Sequence, residues 1–485
     1  MDISKVFKSI DDKLWKGGVA NALDYMEQSS WILFLKYLSD QEEERLFEAE
    51  IEGKTYQPIF QPQFLWSQWA CKRNEDGTRD HTQDLTGEDL INFVDDELFP
   101  YLESFQSDTD NNQSIEGKIG QIFDKLDNKI DDGYILRDVL DTVDQLQFGT
   151  EDEQHQFTKL YEERIAQMGN AGKSGGQYYT PRPLIKAIVD VVNPKIGETV
   201  YDPAAGSCGF LVESYRHIRE NSGSLSTKQL DKLEHRTIYG KEKIALPYIT
   251  GLMNMILFGI RSPNLTRTNT LQESMFNVQD KDLHDVILAN PPFGGNETQE
   301  IQQNFNFKTS ATELMFLEHF MKLLKKGGRA GIVIKNTFLS NTDNASIALR
   351  EELLKTCNLH SILVLPSGTF TGAGVKTVVL FFDKGQATKN VWYYELNLDR
   401  NLGKTNPLNS KDLSEFIELQ KNKKDSDNSW TVSVDDIDKA TWDLSPANPN
   451  IEDTTEKRTP SEILAEIEAL DKEADEAIAA IKELI

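Results

Sequence analysis

Three features are scarce in this chain. Cysteine is nearly absent: Cys71, Cys208 and Cys357 are odd in number and far apart, which excludes a disulfide framework and a clustered zinc site. No metal is expected, and a reducing cytoplasm is the expected compartment. Long apolar runs are missing as well. No stretch approaches the roughly 18–20 residues that a bilayer span needs, and Met1-Asp2-Ile3-Ser4-Lys5 lacks the apolar core of a secretory signal, so no membrane association is expected. Positive charge is the third shortage, since 52 Lys and Arg against 79 Asp and Glu leave a net charge of −27. Lys and Arg contacts to phosphate ordinarily supply most of the affinity for a nucleic acid. A protein this acidic would have to gather its cations on one face or borrow them from another subunit, unless the acidity only serves solubility.

What is present fits a soluble globular chain, 38% hydrophobic and 27% charged, too long for one ordinary domain. Residues 1–155 read as a helical domain. Ala22-Leu23, Met26, Trp31, Leu33-Phe34 and Tyr37-Leu38 recur at near-helical spacing, and helical patterns return after a loop-like segment holding Pro58, Pro62, Trp66 and Trp69. The tryptophan pair is expected in the core rather than on a base-stacking surface. From 156 to 424 strands and helices alternate. Strands are expected at Thr199–Tyr201, Thr237–Tyr239, Val286–Ala289, Ala330–Ile334, Ile362–Leu365 and Val378–Phe382. Helices are expected between them, with Lys325-Lys326 before Gly327-Gly328 as a helix C-terminus. Such alternation implies an α/β fold, a mostly parallel doubly wound sheet. Residues 425–485 form an acidic segment, with 17 Asp and Glu against 5 Lys and Arg. Thr459-Pro460-Ser461-Glu462 reads as a helix start, and Ile463, Ile467, Leu470, Ala474, Ala477, Ile481 and Leu484 follow as a heptad seam. So short a seam needs a second helix, either a partner's or one of the chain's own N-terminal helices.

The most informative residues are Asn290-Pro291-Pro292-Phe293, directly after the apolar run Val286-Ile287-Leu288-Ala289. Proline lacks an N–H and has a fixed φ, so the pair stops a central strand abruptly. It leaves Asn290 and Phe293 at the carboxyl end, where open α/β sheets bind ligands. An amide acceptor, a backbone carbonyl and an aromatic face can hold a planar group bearing an NH2, such as adenine. That set points to methylation of an amino group, provided a methyl-donor site lies upstream.

A matching site is present. Asp202-Pro203-Ala204-Ala205-Gly206-Ser207-Cys208-Gly209-Phe210 lies between a strand and a helix. Gly206 and Gly209 let a ligand approach the backbone. The turn lacks dinucleotide spacing, the nucleophile-elbow pattern and a phosphate-loop lysine, and so suits a nucleoside without phosphate, of which S-adenosylmethionine is one. Glu242, after the second strand, can accept both ribose hydroxyl hydrogens. Upstream, Gly175-Gly176-Gln177-Tyr178-Tyr179-Thr180-Pro181-Arg182-Pro183 is an ordered loop leading into a helix, with Thr180 a natural cap.

Taken in order, Gln177 to Arg182, Asp202 to Phe210, Tyr239-Gly240-Lys241-Glu242 and Asn290 to Phe293 resemble the gamma class of adenine-N6 DNA methyltransferases. More narrowly, the chain resembles the methylation subunit of type I restriction–modification systems. Thr312-Glu313-Leu314-Met315-Phe316 and Phe370-Thr371-Gly372-Ala373-Gly374-Val375-Lys376-Thr377 are similar to later blocks of that family. The resemblance implies a Rossmann-like methyltransferase sheet with an N-terminal helical domain and a C-terminal partner-binding helix. It implies a S-adenosylmethionine site made of Gln177, Tyr178, Tyr179, Thr180, Pro181, Arg182, Asp202, Gly206, Ser207, Cys208, Gly209, Glu242 and Asn269. Asn290, Pro291, Pro292 and Phe293 would be catalytic. The implied partners are double-stranded DNA, a specificity subunit, a second methylation subunit and a restriction subunit. Asn269 stands where many relatives have an acid, and Lys335-Asn336 departs from a proline-containing version.

Two other readings use the same residues. Methylation of a protein glutamine amide shares the Asn-Pro-Pro-aromatic set, and a catalytically silent scaffold would only bind a partner. The helical N-terminus, the Gln177–Arg182 block and the acidic tail favour the DNA enzyme. Intact Asn290, Phe293 and Glu242 speak against the scaffold.

Overall fold

A computed structural model describes residues 3–19, 21–74, 77–107, 114–146, 148, 157, 161, 179–260, 263–370, 374–403, 405–450, 463–465, 467–470 and 472. The chain divides into two compact units, Met1–Pro446 and Ala447–Ile485.

In the first unit, helices Ile3–Lys16 and Ala22–Glu52 open the chain. Asn21 starts the second by accepting the N–H groups of Leu23 and Asp24, and Gly53, at φ +63°, ends it. Met26, Trp31, Phe34 and Leu38 are buried, as their spacing requires. Trp66 and Trp69 are buried too, edge-on at 5.7 Å, and the Trp66 indole donates to Asp144 at 2.9 Å. They are core residues. Helix Ile115–Phe123 ties this region to the sheet: Lys118, buried, donates to the carbonyl of Leu265 at 3.4 Å, and burial draws its pKa down to about 8.

The sheet has nine strands: β1 (Val200–Asp202), β2 (Ile238–Glu242), β3 (Asn264–Arg267), β4 (His284–Ala289), β5 (Leu324–Lys335), β6 (Cys357–Val364), β7 (Thr377–Lys384), β8 (Asn390–Glu395) and β9 (Ser429–Ser433). Their order is β3-β2-β1-β4-β5-β7-β6-β8-β9. From β3 to β5 all neighbours are parallel. Val286 to Ala289 of β4 are wholly buried, the continuous apolar run that a strand covered on both faces needs. From β1 the chain builds outward through β2 and β3, whereas from β4 it builds the other way. The order therefore reverses between β1 and β4, and a crevice opens at their carboxyl ends.

The far half is less regular than the expected doubly wound pattern. β7 runs antiparallel between β5 and β6, β8 is parallel to β6, and β9 is antiparallel to β8. β9 falls within the segment that the sequence reading assigns to the acidic tail from residue 425. Lys325 and Lys326 do not end a helix. Helix Thr312–Leu323 stops before them, β5 starts at Leu324, Gly327 takes φ +79°, and Lys325 pairs with Asp285 at 2.8 Å.

In the second unit, residues 463–465 and 467–470 are helical. Ile463, Ile467 and Leu470, the first seam positions, are exposed. The proposed start at Thr459–Glu462 and the seam positions Ala474, Ala477, Ile481 and Leu484 lie outside the described residues. Among the described residues, no helix is long and apolar enough to cross a membrane.

Arg350 locks the end of the first unit to the sheet. It is fully buried and donates to the carbonyls of Phe338, Asn341, Thr441 and Trp442 at 2.7–2.8 Å. Arg350→Met keeps the volume but strands those carbonyls. A loss of about 3 kcal/mol is expected, measured as a lower urea midpoint with wild-type helical content before the transition.

Candidate active site

β4 ends at Ala289, and the two prolines that follow cannot extend it. Pro291 is buried, so the corner is anchored and Asn290 is set at its edge. The Asn290 Nδ2 donates to Thr180 Oγ1 at 2.9 Å. Its Oδ1 is buried and has no protein donor. A buried amide oxygen left without a partner forfeits on the order of 1–3 kcal/mol, which is what a site awaiting a donor looks like. Phe293 is largely buried, with its ring edge-on to Phe370 at 5.1 Å. Beyond it Gly295, at φ +110°, turns the chain back so that Thr312 N–H donates to the Gly295 carbonyl. This brings the start of helix Thr312–Leu323 over the corner.

On the neighbouring strand, the turn after β1 is held by Glu242 at the end of β2. One carboxylate oxygen accepts the Gly206 N–H at 2.9 Å and the other accepts the Ile244 N–H at 2.7 Å. Gly206 takes φ +52°, and Cys208 takes φ +64°, left-handed for a residue with a side chain. The Cys208 thiol is fully buried against helix Ala245–Leu257, where a Cβ at Gly251 would lie 2.7 Å from its sulfur and 2.9 Å from the Gly206 carbonyl. From the same helix Asn254 donates to the Ser207 carbonyl at 2.9 Å, and Thr270 donates to the Pro203 carbonyl at 2.6 Å. The sequence reading omits Gly251, Asn254 and Thr270. For two of them a signal existed: a glycine and an amide three residues apart share one face of an otherwise apolar helix.

The corner and the turn open into one cavity of about 370 Å³. Among the described residues, Tyr179, Thr180 and Arg182 line it from the loop, and Asp202, Gly206, Ser207 and Gly209 from the turn. Glu242 and Asn269 contribute from the second and third strand ends, and Asn290 and Pro292 from the corner. Four residues expected in the site stand behind its wall. Pro181 is the N-cap position of helix Arg182–Val192, Cys208 faces the core, Pro291 is buried in the corner and Phe293 packs on Phe370. Gln177 and Tyr178 lie outside the described residues. Phe316 and Lys243 also line the cavity, although the sequence reading gave them no part in the site. Asn269 uses its amide oxygen to accept the Leu271 N–H at 3.2 Å, so its NH2 is the group available to a ligand.

Burial sets the electrostatics. It raises the Asp202 carboxyl well above the usual carboxylate range, with one opposing N–H from Ala204. Glu242 is raised for the same reason, against the pull of its backbone N–H donors. The Cys208 thiol is pushed up by burial and is no thiolate.

Comparison with known proteins places these features in context. The N-6 DNA methylase family model matches residues 152–458, and the HsdM N-terminal domain model matches residues 3–143. The chain is 34% identical over 491 aligned positions to the type I restriction enzyme EcoEI methylase subunit of Escherichia coli, covering 98% of this chain and 96% of that one. Its fold is similar to that of a modification subunit assigned to a type I restriction enzyme of Vibrio vulnificus YJ016, with a TM-score of 0.81 at 33% identity over 92% of this chain and 96% of that one. A chain solved in work on complex assembly and conformational transition of the type I restriction–modification system is also similar. Its TM-score is 0.76 at 34% identity, over 98% of both chains.

The Asp202 shift predicts how stability depends on pH. A carboxyl whose native pKa is raised destabilises the fold once ionised, fully above the native pKa and not at all below the ordinary carboxylate range. Asp202→Asn, which keeps an oxygen for the Ala204 N–H, should therefore raise the melting temperature of the ligand-free protein at neutral pH. The advantage over wild type should close as pH falls toward 4, followed by thermal unfolding across pH.

Proposed function

This chain belongs to the N-6 DNA methylase family, among the methylase subunits of type I restriction enzymes, and we propose that it methylates adenine N6 in DNA at the Asn290 corner with S-adenosylmethionine as methyl donor. One observation carries this reading: Asn290, whose Oδ1 is buried without a donor, lines the same cavity as the Gly206 turn and Glu242.

The residues fit that donor. The Glu242 oxygens accept the Gly206 and Ile244 N–H groups, and a carboxylate's four lone pairs leave capacity for a ribose hydroxyl. Gly206 and Gly209 clear the backbone, and the turn carries no phosphate-binding lysine. Tyr179, Arg182, Asp202, Ser207 and Asn269 complete the wall, with Gln177 and Tyr178 added by the resemblance. Once bound, S-adenosylmethionine supplies an electrophilic methyl group on sulfur.

The chain's own contribution lies on the base side. An exocyclic adenine nitrogen is a weak nucleophile because its lone pair is delocalised into the ring. Hydrogen bonds from its NH2 to Asn290 Oδ1 and to the Pro291 carbonyl draw it toward tetrahedral geometry and localise that pair. Neither acceptor takes up a proton at neutral pH, so their part is positioning and preorganised dipoles. We assign Phe293 to stacking on the flipped base; packed edge-on to Phe370 behind the cavity wall, its ring must turn to reach it. Flipping costs a few kcal/mol, and stacking returns about 1–3 kcal/mol.

Double-stranded DNA, a specificity subunit, a second methylase subunit and a restriction subunit are its partners in this reading. Residues 1–155 and the exposed helical residues around Ile463, Ile467 and Leu470 are the elements we assign to assembly, and residues 156–424 to catalysis. Similarity to a type I methylase subunit along 98% of the chain, helical N-terminus included, disfavours the glutamine-methylating alternative. A cavity joining Glu242 to Asn290 disfavours the silent scaffold.

Asn290→Ala should lower methyl transfer from labelled S-adenosylmethionine to DNA by at least about 100-fold while calorimetry shows donor binding intact. Retained turnover would overturn the assignment. With net charge −27, the chain alone should fail to retard its target duplex in a mobility-shift assay and should do so once a specificity subunit is added.

A further inference from the structure

Helix Arg182–Val192 begins with Pro181 at its N-cap and no side-chain hydrogen bond there. Thr180, which the sequence offers as that cap, does not serve it. Its Oγ1 instead accepts from Asn290 Nδ2 at 2.9 Å, across 110 residues of chain. Both side chains line the same cavity. The other end of the carboxamide, Oδ1, is buried and unpartnered. An amide is planar, with its acceptor and its donors on opposite arms. Holding the nitrogen therefore holds the oxygen, and the arm that is held is the one the reaction does not use.

We propose that Thr180 is a positioning residue for methyl transfer: its hydroxyl holds the Asn290 carboxamide with Oδ1 turned into the cavity, where the adenine amine is received. The proposal rests on the role given to Asn290 above and gives Thr180 a different task from the cofactor contact implied by resemblance. The accepting hydroxyl belongs to the loop from which Tyr179 and Arg182 also line the cavity. The bond thus links the cofactor side of the site to the base side. Without it, Nδ2 has lost its acceptor, and the carboxamide turns about its side-chain bonds to find another.

The test uses the assembled complex with a specificity subunit, with Thr180→Val and Thr180→Ser compared. Valine has the shape of threonine without the hydroxyl, and serine keeps the hydroxyl. Thr180→Val should lower kcat roughly 10- to 100-fold, the scale of a misplaced reacting group, with the Kd for S-adenosylmethionine and the melting temperature unchanged. Thr180→Ser should restore most of the rate. In an Asn290→Ala background, adding Thr180→Val should cost nothing more, because the two residues act as one unit. Wild-type kcat in Thr180→Val overturns the proposal, as does a loss that appears only in donor Kd, which would make Thr180 a cofactor contact. If Thr180→Val does not assemble, Thr180→Ala against Thr180→Ser gives the same reading. Failure here stays distinct from failure of the Asn290 assignment: the first leaves Asn290→Ala inactive, the second leaves it active.

Discussion

A strand that cannot continue governs this molecule. β4 is buried along its last four residues, the most constrained place in a parallel sheet, and two prolines end it there. Because neither proline offers an N–H, the backbone leaves the sheet at one defined residue, and Asn290 is set at the edge of the crevice. The reversal of strand order between β1 and β4 puts the Gly206 turn beside it. The same helix–strand alternation without the stop would give a sheet with a crevice and no acceptor in it.

The turn that faces this corner is held by interactions of the opposite kind, dense and buried. Glu242 accepts the Gly206 N–H within it and the Ile244 N–H after β2, Asn254 and Thr270 each tie down a carbonyl, and Gly251 lets the turn sit directly on helix Ala245–Leu257. Cys208 shows what that closeness demands. It holds a left-handed conformation that costs a residue with a Cβ on the order of 1 kcal/mol, and its sulfur occupies the space that the missing Gly251 side chain leaves. A small, weakly polar side chain is needed there, and its buried thiol is chemically quiet. Cys208 is in this structure a packing residue, its thiol fully buried and its pKa pushed up by that burial.

Much of this was legible because the decisive signals are local. Asn290 to Phe293 and Asp202 to Phe210 each carry a strand end, a break and a functional side chain within nine residues or fewer. The central strands announce themselves as apolar runs, and Trp66 and Trp69 read as core because of what they are. Other features were not legible for physical reasons. β3 is an edge strand of four residues with an exposed end, and β9 carries the polar side chains of a sheet margin, so neither has the pattern of a buried strand. Lys325 and Lys326 read as a helix end because a glycine pair follows them. What places them within β5 is the pairing of Leu324 and Arg329 with β4 on either side of them, and the ion pair of Lys325 with Asp285, which no local rule contains. Thr180 is the sharpest case: its position before a helix fits a cap, and only the approach of Asn290, 110 residues on, shows a different use of the hydroxyl.

The chemistry also accounts for the charge. The groups we propose to act on the base are a neutral amide, a peptide carbonyl and a phenyl ring, and those we assign to the methyl donor are a glycine turn and two buried carboxyl groups. None of them grips phosphate, so the catalytic task places no demand for cations on this chain. DNA affinity falls steeply when phosphate-neutralising contacts are removed, and a net charge of −27 adds long-range repulsion on top. In the function proposed above, the attraction to DNA is supplied by the specificity subunit. On that proposal its acidity has a use beyond solubility: a modifying site that does not engage a duplex by itself would act only where the recognising subunit has already bound.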